Sequence, residues 1–306
     1  MRVCRHCGSR AGEVRVGYAR MWLCRDCFTR FFERKVRRTL EKYRMLKGVS
    51  RLAVAVSGGK DSAALLAALA RLELGVELAP IHLNLGIPGY SSECERKARE
   101  LAEHLGLRLQ VFKLEEEGFT VGMLGETRLR RRACAACSTV RRYWLNRLAR
   151  ELDAQAVATG HNLDDTVEVL FNAYFTGDLE TIARLKPALP ARGKLVARIK
   201  PLIALTEEEA LEYAEILELP FTSVKCPLGR GSRSLRRKKL IETIAEEVPG
   251  YKHTFLSAHL RVFQPMAEEH AELGELGECR LCGEPSSQEV CGYCRVKSAV
   301  RAYLAS

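Results

Sequence analysis

The sequence predicts an α/β protein in which a doubly wound parallel sheet is flanked at each end by a four-cysteine zinc module. Three observations lead there. Short apolar runs alternate with helical stretches from residue 51 onward, the pattern of strands joined by crossover helices. Paired Cys-x2-Cys knuckles stand near both ends of the chain, at spacings that surround a tetrahedral ion. The first apolar run ends in Ser57-Gly58-Gly59-Lys60-Asp61-Ser62, a turn suited to the place where a buried strand enters a helix.

The N-terminal module holds Cys4-x2-Cys7, sixteen residues, then Cys24-x2-Cys27. In a reducing compartment such pairs read as zinc ligands, not disulfides. Apolar residues Phe31, Phe32, Val36, Leu40 and Tyr43 recur at helical spacing, so a helix is expected over 28–46. Strands follow at 51–56, 76–85, 107–114 and 154–159, with helices at 61–74, 91–105 and 140–152 between them. Pro187, Pro190 and Gly193 mark a loop, and further helices are expected at 207–217 and 234–247. The C-terminal module repeats the cysteine arrangement as Cys279-x2-Cys282, eight residues, Cys291-x2-Cys294. The expected units are an N-terminal zinc module (1–30), a linker helix (31–47), a catalytic domain (48–265) and a C-terminal zinc module (275–306).

Composition narrows the function classes. The longest clean apolar run, Ala63 to Ala70, has eight residues, far short of the roughly 20 needed to span a bilayer. An integral membrane role is therefore not expected. Nor does the N-terminus show an apolar signal region, so the cytoplasm is the expected compartment. Basic residues number 49 against 38 acidic, a net charge of +11, which points to a polyanionic partner such as nucleic acid.

The Ser57–Ser62 turn is the strongest chemical motif. Free backbone N–H groups and the helix dipole favour a phosphate there, and two glycines allow close backbone approach. Lys60 adds positive charge, and Ser57 and Ser62 add hydroxyls. It is not a Walker A loop, because Lys60 is followed by Asp61 and position 54 is Val. The hexapeptide resembles the PP-loop of the ATP-pyrophosphatase family. In that family the loop grips the β- and γ-phosphates, leaving the α-phosphate open to attack. Strand 154–159 runs into Gly160-His161-Asn162-Leu163-Asp164-Asp165. In an open α/β sheet this segment falls in the same crevice as the loop. Its paired aspartates suit Mg²⁺ or proton handling, or simply complement a helix N-terminus. His82 can border an adenine pocket or be structural.

Cys134-x2-Cys137 is followed by Cys226-Pro227, 89 positions after Cys137. Cys94 has no partner in sequence and reads as a small buried side chain. Three thiols are one short of a closed zinc site. Spacing alone leaves four readings: a [4Fe–4S] cluster with one open iron, a zinc site completed by His161, a redox or persulfide pair, and unrelated thiols.

Taken together, these motifs resemble the TtuA family of tRNA 2-thiolation proteins over nearly the whole chain. The likeness covers both zinc modules, residues 57–62, Cys134-x2-Cys137, residues 160–165 and Cys226-Pro227. It implies a tRNA uridine 2-sulfurtransferase. ATP with Mg²⁺ would adenylate O2 of a flipped-out uridine, and sulfur would then replace AMP at C2. The resemblance implies that Cys134, Cys137 and Cys226 hold a [4Fe–4S] cluster. It places ATP against Ala55, Val56, Ser57, Gly58, Gly59, Lys60, Asp61, Ser62, His82, Arg141, Gly160 and Asp165, with Asp165 catalytic. It also implies a ubiquitin-like sulfur carrier with a C-terminal thiocarboxylate, and a homodimer.

The chain departs from that pattern at Arg141, where relatives often carry Lys. Arg keeps the charge but does not donate a proton near neutral pH. The first zinc module is all-cysteine, whereas some relatives use His at its last position. Two basic runs flank the site in sequence and suit tRNA phosphates: Arg128, Arg130, Arg131 and Arg132, and Arg230, Arg233, Arg236, Arg237, Lys238 and Lys239. The rivals are another PP-loop tRNA modifier (2-thiocytidine or lysidine synthesis) and a zinc-ribbon RNA-binding scaffold with a regulatory ATP site.

Overall fold

The computed structural model describes residues 2–229, 233–271, 274 and 276–305. Arg230 of the second basic run lies outside the described residues, as do the bounding residues 1, 275 and 306 of the two terminal modules.

A hairpin of β1 (Val14–Val16) and β2 (Met21–Leu23) leads into α1 (Arg25–Lys42). The sheet begins with β3 (Arg51–Ala55), α2 (Lys60–Arg71), β4 (Glu77–Asn84), α3 (Ser91–His104) and β5 (Gln110–Lys113). Next come α4 (Ala133–Glu151), β6 (Ala156–Ala158), α5 (Leu163–Thr176), α6 (Leu179–Arg184), β7 (Ala188–Leu189), β8 (Ala197–Ile199) and α7 (Glu207–Ile216). Helices α8 (Arg233–Glu247), α9 (Tyr251–Ala258) and α10 (Gln264–His270) follow, with a π-helical turn at His259–Phe263 joining the last two. The C-terminal module contributes β9 (Gly277–Glu278), β10 (Pro285–Ser286) and α11 (Gly292–Leu304).

The central sheet runs β5-β4-β3-β6-β8-β7. All its pairings are parallel except β7 with β8, which is antiparallel. The expected parallel sheet is thus mainly parallel with an antiparallel edge. That edge pair lies where a loop was expected, because Pro187, Pro190 and Gly193 leave room only for two very short strands. From β3 the chain first steps outward through β4 and β5, then returns to the other side of β3 as β6. This reversal opens a crevice at the carboxyl ends of β3 and β6, where α/β sheets bind ligands.

Burial on both faces explains the continuous apolar runs of the inner strands. Leu52, Val54, Ala156 and Ala158 pack with α2, α3, α7 and the N-terminal module. Ala53, Ile81 and Val157 face Leu145, Leu148 and Ala149 of α4. A third core, with Leu163, Val167, Leu170, Ile203, Ile241 and Leu256, joins α5 to the late helices. Two helices begin earlier than their apolar periodicity suggests. Helix α1 starts at Arg25, immediately after Cys24, and α4 starts at Ala133, so Cys134 and Cys137 lie on its first turns.

Candidate active site

The phosphate loop is shaped by what surrounds it. Gly58 has φ +84°, and a Cβ there would stand 2.4 Å from the Cys94 carbonyl oxygen. Only glycine fits. Cys94 itself is buried and backs this turn. Ser62 Oγ accepts from the Ser57 N–H at 3.0 Å and donates to the Gly59 carbonyl at 2.9 Å, closing the loop onto the first turn of α2. Ala55 and Val56 lead into it from β3. His82 is 1% exposed, and its Nδ1 sits 2.8 Å from the Val56 carbonyl. It braces the strand end, while its Nε2 has no partner among the described residues.

The Gly160 segment is fitted against this loop. A Cβ on Gly160 would lie 3.0 Å from the Asp61 carbonyl carbon and 3.1 Å from the Ser62 nitrogen, so a side chain would press into the start of α2. Asn162 caps α5, accepting from the Asp165 N–H at 3.0 Å, and donates to Asp61 at 3.0 Å. One amide side chain thereby ties the two motifs together.

Around them lies an alternating charge network. Lys60 contacts Asp61 at 3.0 Å and Glu207 at 2.8 Å. Lys238 contacts Asp165 at 2.6 Å and Glu207 at 3.0 Å. Burial pushes the Asp61 carboxyl up, against the opposing pull of Lys60. Burial also works against ionisation of Glu207, but Lys60 and Lys238 outweigh it and hold the carboxyl at about 2. Asp164 accepts from the Glu207 N–H at 2.7 Å and from Lys252 at 2.5 Å, which anchors α7 to the site. Three carboxylates, Asp61, Asp165 and Glu207, thus surround two ammonium groups beside a phosphate loop. That donor set suits an Mg²⁺–nucleotide, whose phosphates can take over Lys60. The sequence reading missed Glu207 as a site residue. It took Lys238 for an RNA contact, whereas Lys238 and Arg237 are paired inward, the latter with Glu168 at 2.6 Å.

The three internal thiols meet at the same crevice. Cys134 donates to the Leu228 carbonyl at 3.1 Å, which closes the Cys226 turn over the start of α4. Burial pushes the Cys137 thiol up, Arg141 opposes this, and the charges of Cys226 and Cys134 both act on it. Cys134 is exposed and the other two are half-buried. A backbone hydrogen bond from Thr222 N–H to the Gly58 carbonyl at 2.8 Å ties this segment to the phosphate loop. Among the described residues, only the two terminal four-cysteine sets meet single-ion spacing. Cys134, Cys137 and Cys226 do not meet that spacing.

In the terminal sets, Cys279 and Cys294 sulfurs lie 3.9 Å apart and those of Cys282 and Cys291 3.7 Å. Tetrahedral zinc–thiolate geometry requires about 3.8 Å. Cys4, Cys7, Cys24 and Cys27 form the matching N-terminal set. Burial opposes ionisation of Cys279, but N–H donors of Cys291, Leu281 and Cys282 bring it down to about 6, while burial pushes Cys291 and Cys294 up.

The chain matches the PP-loop domain family over residues 29–226. It is 36% identical over 296 residues to the tRNA-5-methyluridine(54) 2-sulfurtransferase of Pyrococcus horikoshii, spanning 95% of this chain and 92% of that one. The protein of the same name from Thermus thermophilus is 37% identical over 300 residues, spanning 97% and 92%. Among solved structures, the U34-tRNA thiolase NcsA from Methanococcus maripaludis with its [4Fe-4S] cluster superposes with a TM-score of 0.82, at 30% identity and over 97% and 96% of the two chains.

Proposed function

Because this chain belongs to the PP-loop family of tRNA 2-thiolation proteins, we propose that it is an ATP-dependent tRNA-uridine 2-sulfurtransferase. The observation that supports the reading is the Thr222–Gly58 backbone hydrogen bond, which ties the segment leading to Cys226 to the phosphate loop, while Cys134 on α4 donates to Leu228 of the same segment. A PP-loop enzyme without sulfur chemistry has no need of that neighbour.

In this reading, ATP lies over residues 55–62 with its β- and γ-phosphates on the loop and Lys60. Asp61 and Asp165 would hold its Mg²⁺. The O2 oxygen of a uridine drawn out of its stack attacks the α-phosphate, and pyrophosphate leaves. Arg141, one turn beyond Cys137, holds charge on the phosphate side. Sulfur then adds at C2, and AMP departs with the former O2. Cys134, Cys137 and Cys226 would hold a [4Fe–4S] cluster, which would supply the sulfur chemistry at an iron that the three thiolates leave free. The two terminal sets would hold zinc as closed structural sites. Family likeness also suggests a ubiquitin-like thiocarboxylate sulfur carrier, a homodimer and a cytoplasmic setting. No helix among the described residues is long and apolar enough to cross a membrane.

Two measurements test the reading. Protein purified without oxygen should contain about four iron, four sulfide and two zinc per chain. Replacing Cys226 with Ala should abolish thiolation of tRNA while ATP still binds. Retained thiolation would remove the cluster role.

A further inference from the structure

We propose that Arg142, Arg198 and Lys200 form a shelf on the β8 side of the crevice that takes backbone phosphates of the RNA strand as the target base enters. The proposal rests on the tRNA reading above and adds the surface that holds the substrate.

The shelf follows from strand parity. Val196 packs under α4, whereas Ala197 and Ile199 pack on the opposite face of the sheet. Side chains alternate along a strand, so Arg198 and Lys200 fall on the α4 side with Val196. Arg198 pairs with Val157 of β6 and Leu189 of β7. Lys200 follows Ile199, whose carbonyl accepts from the Thr159 N–H at 3.1 Å. It therefore stands beside the start of the Gly160–Asp165 segment. On α4, Leu145 and Leu148 meet the sheet, and Arg142 lies one turn nearer the crevice.

The charges of this group act on one another and lack carboxylate partners. Burial and then Arg141 depress Arg142. Burial, Arg142 and Arg184 depress Arg198. Burial and Arg198 bring Lys200 down to about 8. Lys200 has one hydrogen bond, to the Lys186 carbonyl at 3.2 Å. Arg142, Arg198 and Lys200 have no ion pair among the described residues. Some arginines elsewhere are paired, Arg96 with Glu93, Arg99 with Glu95, Arg147 with Glu151 and Arg51 with Glu77; what sets this group apart is that its cations also act on one another. Crowded, unpaired cations raise the energy of the folded chain until an anion neutralises them.

The nucleotide triphosphate has Lys60 on the loop as a cation of its own, and the test below separates it from RNA. Both regions act on His161, where Asp165 opposes the charges of Lys200, Arg141 and Arg198. The second polyanion of the reaction is RNA.

The test uses the full chain carrying Arg142→Gln and Arg198→Gln, a labelled unmodified tRNA transcript over a salt series, and ATP titration. The expected result is at least a tenfold loss of tRNA affinity with unchanged ATP affinity. The slope of log affinity against log salt should shrink by roughly 1.4–1.8, the value for two lost phosphate contacts. The pair Arg142→Lys and Arg198→Lys should restore the slope, which separates lost charge from misfolding. Unchanged tRNA affinity and slope would overturn the shelf, as would an equal loss of ATP affinity, which would assign these residues to the nucleotide. Wild-type protein that binds tRNA with this salt dependence but never thiolates it would remove the sulfurtransferase reading and leave the shelf standing.

Discussion

The N-terminal module and α1 meet α7 through a largely buried ion pair beside the Phe32–Tyr213 stack, whereas the C-terminal module meets α4 through stacked rings rimmed by ion pairs. Lys35 of α1 contacts Glu209 at 2.9 Å, and Tyr18 donates to the same carboxylate at 3.0 Å. Glu209 closes the capping box of α7 with Thr206, next to Glu207 in the charge network. In the C-terminal module, Tyr293 stacks on Tyr143 at 3.9 Å and meets Trp144 edge-on, while Arg150 pairs with Glu284. Each module therefore braces a different half of the site. The first steadies α7 and the nucleotide side, and the second steadies α4, which carries Cys134 and Cys137. Two similar four-cysteine sets near the chain ends thus brace different elements of the fold.

The largest expected effect tests that division directly. Replacing Cys282 and Cys291 with Ser should remove iron and sulfide along with one zinc, because α4 loses its brace. Replacing Cys7 and Cys24 should remove one zinc and leave the iron in place. Metal analysis of anaerobically purified variants decides it, and equal iron loss in both would end the distinction. Next in size, Glu209→Ala strands Lys35 without its partner and should cost about 3–5 kcal/mol in denaturant unfolding. Replacing Lys35 and Glu209 together by Met should recover much of that. A smaller effect, about 1 kcal/mol, is expected for Tyr293→Phe, which keeps the stack and removes a hydrogen bond to Glu117 of 3.2 Å.

The last test is pH dependence beside the phosphate loop. Glu207 is held at about 2 when folded against 4.5 ordinarily. A depressed carboxylate stabilises the fold above its unfolded value, and that contribution fades as pH falls from 4.5 to about 2. The melting-temperature gap between wild type and Glu207→Gln should close over that window. A gap that stays constant would mean Glu207 is not held by Lys60 and Lys238.

Much of this arrangement was legible from the chain itself. Strands β3 and β6 stood out because both their faces are buried, which gives unbroken apolar runs. The cysteine knuckles and the Ser57–Ser62 turn stood out because their chemistry is local. Strands β7 and β8 did not, since two or three residues between prolines carry no period. Nor did helices α9 and α10, which pack in a separate core over mixed surfaces. The pairing of Lys238 with Asp165 joins residues 73 positions apart, and no local pattern announces it. The early start of α4 was hidden because Arg130–Arg132 and the cysteines lack the apolar stripe that marks its later turns. Arg198 and Lys200 escaped notice because a three-residue strand is too short to show alternation.

The Thr222 amide has one further consequence. Its proton is held by the Gly58 carbonyl, so it joins the segment that ends at Cys226 to the loop expected to hold ATP. A single exchangeable hydrogen thus reports on both halves at once. Its rate of exchange with deuterated solvent should fall when nucleotide orders the loop and again when the thiols are ligated. One amide would then reveal whether the two events are felt together or apart, without turnover of any substrate.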